Sequence, residues 1–163
     1  MSALISQTPI WVFVVFFSLL FLGFMQTKPR VLKVKTVFIL PIAMIIFSFF
    51  GVYSVFGFSF LTLSLWAMGL VTTLVIGLKL AYPKFVSFAV QSNQLTIPGS
   101  WVPLLFMMAI FFTKYFVGFA VARELPVINT DIFVVLLSLL YGAFSGIFLS
   151  RSLVMFKTSK VTM

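Results

Sequence analysis

Residues 98–122 read PGSWVPLLFMMAIFFTKYFVGFAVA, and the reading of this stretch decides the fold. From Val102 to Ala122 the run is apolar apart from one charge, Lys114. At about 1.5 Å per residue, a helix of that length crosses a hydrocarbon core about 30 Å thick. Ser100 is a suitable N-cap, and Trp101 sits where an interfacial aromatic belongs. Arg123, Glu124 and Pro126 close the run.

The whole chain has the same character. Of its 163 residues, 63% are hydrophobic and 8% charged, against roughly 45–50% and about 25% in soluble domains. The mean hydropathy is +1.26. A chain this short cannot hide so much apolar surface from water, so the class is polytopic membrane protein. The fold expected is an all-α integral membrane protein, a five-helix transmembrane bundle forming a single transmembrane domain over 1–163. Its spans fall at about 8–26, 36–54, 58–78, 102–122 and 132–149. The first is read as a retained span, because it has neither a basic n-region nor a small-x-small cleavage site. Pro41 in the second removes a helical partner from the Val37 carbonyl and predicts a kink.

Between the third and fourth spans lies the one long loop, 81–100. Val86, Phe88 and Val90 alternate with Ser87, Ala89 and Gln91; Ser92-Asn93 offers a turn; Leu95 and Ile97 then alternate with Gln94 and Thr96. This pattern predicts a short interfacial β-hairpin with one apolar edge on the membrane surface. A short interfacial helix is the competing reading. The polar stretch 91–96 excludes a span.

Charge sets the orientation. Lys28, Arg30, Lys33 and Lys35 crowd the loop 26–35 with no acid among them, and read as cytoplasmic anchors. Lys79, Lys84, Arg151, Lys157 and Lys160 fall on the same side if the spans alternate. The segment 123–131 holds Arg123 and the chain's only acids, Glu124 and Asp131. The topology expected is N-out and C-in. In a water-soluble protein the net charge of +9 would suggest nucleic acid; at span ends it suggests anchoring, so no nucleic-acid partner is expected.

The chain has no Cys and no His. Thiol redox chemistry, imidazole acid–base chemistry and the usual zinc, haem and iron–sulfur ligand sets are therefore excluded. No cofactor and no metal are expected. Glu124 and Asp131 share a short loop with Arg123 and read as a solvated charge cluster rather than a paired-acid centre. The 23 Phe residues suit a lipid-facing surface better than an aromatic ligand cage.

Two faces of small residues repeat every four positions. One carries Gly69, Thr73, Gly77 and Ala81; the other carries Ser138, Gly142, Gly146 and Ser150. That spacing lines them along one helix side and allows close approach of another helix. Gly118 and Ala122 form a similar line with Lys114.

Lys114 lies about 17–18 Å along its helix from Val102, near the midplane. A side chain reaching about 6 Å back toward its own N-terminus still leaves the amine roughly 11 Å inside. The charge costs about 2.5–3.5 kcal/mol there, so the amine must meet polar groups. Thr72, Thr73, Tyr141 and the freed Val37 carbonyl are the candidates, and Glu124 is too far along the axis. Two readings stand: a site for an anionic or carbonyl-bearing ligand, or a lysine that bonds carbonyls and fixes packing.

The pattern Pro9-Ile10-Trp11, Lys28-Pro29-Arg30, Pro41, Pro98-Gly99-Ser100-Trp101 and Lys114-Tyr115 resembles a family of small proteobacterial inner-membrane proteins of unknown function. The resemblance implies a bacterial multi-pass protein and supplies no activity. A weaker likeness, over 28–41, is to accessory membrane proteins of cytochrome c biogenesis. Together these readings predict a non-enzymatic packing or accessory component whose partners are the bilayer and either a second copy or a larger membrane complex. The alternative is an anion or small-solute transporter component using Lys114.

Overall fold

The computed structural model describes residues 10–161. It contains helix α1 (Ile10–Met25), strand β1 (Arg30–Lys33), a 3-10 turn (Val34–Phe38), α2 (Ile39–Phe56), α3 (Phe60–Leu80), β2 (Ser87–Ala89), β3 (Gln94–Ile97), α4 (Val102–Ala122), a second 3-10 turn (Pro126–Asn129) and α5 (Asp131–Val161). Among the described residues, four segments are long and apolar enough to cross a membrane: Val34–Phe56, Phe60–Leu80, Val102–Ala122 and Asp131–Ser159. The fifth expected span is shorter. α1 has 16 residues, about 24 Å of helix, and residues 8 and 9, with Pro9 at the expected start, lie outside the described residues.

α5 is the centre of the bundle. Half of its membrane-length window is buried, a larger share than in any of the other three. One core joins Val52 of α2, Met107, Ile110 and Val117 of α4, and Leu137, Tyr141, Phe144 and Phe148 of α5. α1 rides on α4 instead, where a side-chain carbon at Gly23 would run into Leu104 and Phe16 packs on Phe111 with centroids 5.1 Å apart. Large outward residues such as Phe17, Phe21, Phe60 and Leu61 stay exposed, as hydrocarbon contact requires.

Pro41 does not bend a helix interior. It is the third residue of α2, within the first turn, where a backbone N–H has no intrahelical acceptor to lose. The chain makes its break in the 3-10 turn before it. Ser100 also differs slightly from expectation. α4 is capped by Trp101, and the Ser100 hydroxyl accepts from the Val102 N–H at 3.2 Å.

The hairpin forms as expected, β2 against β3, through the turn at Val90–Ser92 with Asn93 left-handed at φ 50°. β1, from the basic loop, then adds to the free edge of β3 and makes a three-stranded antiparallel sheet in the order β1-β3-β2. Its apolar face does not lie on the membrane surface. Leu95 and Ile97 are buried together with Val37 and with Met155 on the far end of α5. The reason is the length of α5: its 31 residues make about 46 Å of helix, well beyond a core of about 30 Å, so its last turns offer the sheet a wall.

Candidate functional site

Lys114 reaches α2. Its Nζ donates to the Phe47 carbonyl oxygen at 3.1 Å and sits 3.6 Å from the Phe47 ring centroid, with the Tyr141 ring 5.7 Å away. Gly51 makes room: a side-chain carbon there would come within 3.2 Å of Nζ and 3.3 Å of the Tyr141 ring. A backbone oxygen and an aromatic face are the groups that can hold a cation in a dry setting. Of the expected partners, Tyr141 is brought alongside. Thr72 is on an exposed face. The Thr73 hydroxyl lies within hydrogen-bond reach of the Gly69, Leu70 and Ala143 carbonyl oxygens in the α3–α5 seam, at 2.8, 3.3 and 3.1 Å. The Val37 carbonyl is taken by the Ser152 hydroxyl.

The small-residue faces find each other. A side-chain carbon on Gly69 would strike the backbone of Leu139, one on Gly77 the Ser150 hydroxyl, one on Gly142 the backbone of Trp66, and one on Gly146 the Thr73 hydroxyl and the Leu70 carbonyl. Ser138 is fully buried on the same helix, its Oγ without a hydrogen-bond partner. Both faces are thus closed within one chain and are not open for a second copy. Gly118 departs from its expected role, because a side-chain carbon there meets nothing within 4 Å. Between α4 and α5, a groove of about 360 Å³ is lined by apolar residues including Phe112, Phe116, Leu136 and Leu140. Lys114 does not line it.

A second polar cluster gathers at the sheet end of the bundle. In the antiparallel register Arg30 stands opposite Ile97, and Leu32 opposite Leu95. Directly paired residues project to one side of a sheet, so Arg30 shares the face turned toward α5. Lys28, Lys33 and Lys35 stay exposed, as anchors should. The Arg30 Nη2 donates to Gln26 Oε1 at 2.9 Å. The Gln26 carbonyl accepts from the Ser100 N–H at 2.9 Å, and the Ser100 hydroxyl lies 2.5 Å from the Tyr82 hydroxyl.

The Arg151 guanidinium rests 4.8 Å from the Tyr82 ring centroid. Arg151 is 7% exposed; Tyr82 offers it a hydrogen bond, but its buried Nη1 has no hydrogen-bond partner among the described residues. Burial first, and then the charge of Arg151, hold Arg30 below the ordinary guanidinium pKa. Reading the sequence by charge alone missed this cluster. Its signal is the i, i+2 pairing of Arg30 with Leu32, which places one basic residue on the apolar face of a strand.

These features define a multi-pass membrane protein that, among the described residues, has no cysteine and no group of His, Asp or Glu able to hold a metal. The chain belongs to the family DUF6622, a family of unknown function, whose model matches residues 1–162. No curated protein and no solved structure matches it. Membership agrees with the resemblance to a membrane family without a known activity; a proteobacterial origin and a link to cytochrome c biogenesis do not follow from it.

Proposed function

We propose that this chain is a non-enzymatic accessory component of a bacterial inner membrane, with its sheet end in the cytoplasm, its N-terminus outside and its C-terminus inside. The orientation rests on charge. Nine of the eleven basic residues lie at the sheet end, while both acids lie at the other, a division that matches the positive-inside bias.

The observation that carries the non-enzymatic reading is the hydrogen bond from Lys114 to Phe47. The one cation deep in a span is engaged with a backbone oxygen and a ring, so it joins α4 to α2 rather than facing a solute path. Transport through Lys114 has no comparable observation in its favour. The closed α3–α5 seam also shifts the choice of partner away from a second copy held through those glycines and toward lipid or a larger membrane complex.

Reconstitution in proteoliposomes tests the reading. Neither the native chain nor Lys114→Met should pass chloride or small organic anions faster than empty vesicles. A flux present in the native chain and lost in Lys114→Met sinks it.

A further inference from the structure

We propose that Arg30 and Arg151 form a binding site for a phosphate group at the cytoplasmic face of the bilayer; the site rests on the orientation argued above but not on the absence of catalysis. The first ground is the orphaned donor. Arg151 is buried on α5 and stacked over Tyr82, which also offers the group a hydrogen bond, yet its Nη1 meets no acceptor among the described residues. A buried guanidinium nitrogen left without an acceptor is costly, and such groups are normally paired.

The second ground is that no carboxylate side chain of this sequence can neutralise it. Its only acidic side chains are Glu124 and Asp131. Asp131 opens α5, about 30 Å along the helix from Arg151, and Glu124 lies at that same end. A neutralising anion must then come from outside the chain's own side chains. Instead of a carboxylate, a second guanidinium, Arg30, on the sheet face turned the same way, lies close enough to feel the charge of Arg151.

Two guanidiniums joined in one cluster through Gln26, Ser100 and Tyr82 offer planar forks suited to phosphate oxygens. Arg30 is half-exposed and forms the open side. Binding exchanges its bond to Gln26 for one to the anion and lets the anion reach Arg151 behind it. Gln26, Tyr82 and Ser100, already bonded to one another or to Arg30, hold the two forks in place. The height also fits. Arg151 is one membrane thickness from the outer end of α5, level with lipid headgroups, and the exposed Lys28, Lys33 and Lys35 add a positive field that gathers anions.

Thermal unfolding of the full chain in a neutral detergent tests the site. Inorganic phosphate is titrated in one arm, and phosphatidylglycerol or phosphatidylcholine is added in the other. The native chain should gain several degrees of Tm from phosphate, from phosphatidylglycerol, or from both. Arg30→Gln should lose most of that gain. Arg151→Met should lose it while starting from an equal or higher Tm, because a buried charge without a counter-ion has gone. A gain from phosphate alone assigns a free anion, and one from phosphatidylglycerol but not phosphatidylcholine assigns a headgroup. No gain from either, or gains of equal size in native chain and Arg30→Gln, overturns the proposal even if Arg151→Met fails to fold.

Discussion

The Ser152 hydroxyl on α5 donates to the carbonyl oxygen of Val37 at 2.9 Å. Pro41, four residues after Val37, has no N–H to offer that oxygen, and both partners are buried. A side chain 115 residues away in sequence thus supplies the donor that the local backbone lacks.

Ser152→Ala should therefore lower stability by about 1 kcal/mol, the usual scale for a bond between membrane helices. Unfolding in mixed micelles measures it. An unchanged midpoint would mean that the Val37 carbonyl finds another donor without difficulty.

The α3–α5 seam makes a sharper distinction. Gly142→Ala puts a carbon into the backbone of Trp66 and should cost about 1–3 kcal/mol, as overpacking does. Gly118→Ala faces open space and should be neutral or mildly stabilising, since alanine favours helix by about 1 kcal/mol. Size-exclusion chromatography beside the unfolding curves separates misfolding from loss of association. A Gly142→Ala chain that keeps its Tm but changes oligomeric state would return the seam to an intermolecular role.

Leu95 has no exposed surface and anchors the sheet to Val37 and Met155. Leu95→Ala should cost about 2–5 kcal/mol, concentrated at the sheet end because the helices have their own core. Hydrogen exchange should then rise across β1, β2 and β3 while α4 remains protected. Uniform loss of protection through the chain would show instead that sheet and bundle unfold as one.

How much of this could be read from the residues depends on where each signal lies. The spans at 102–122 and 58–78 were legible because every turn of those helices is apolar and the required length is fixed by the bilayer. The hairpin was legible from Leu95 and Ile97, which alternate with polar neighbours. Gly69, Gly142 and Gly146 declared a close-packing face, but four-residue spacing names a face and not the helix that meets it. That is why the two faces looked open to another copy when they close on each other. The depth of Lys114 followed from counting residues. Its acceptor did not, because a carbonyl such as that of Phe47 has no mark in sequence. β1 was hidden for a different reason: it is four residues long, and its charges suggested an anchor before its alternation suggested a strand.

The long central helix also bears on the order of synthesis. α2, α3 and the sheet strands all leave the ribosome before α5, yet α5 holds the residues that Gly69, Gly77, Val37 and Leu95 pack against. Until those residues are made, the earlier helices reside in the lipid with their tightest contact faces unmet, and Leu95 and Ile97 lack their wall. Assembly of these contacts is therefore held back until α5 has been made, and the interval before α5 inserts is when the nascent chain is most open to mispairing or to a membrane chaperone.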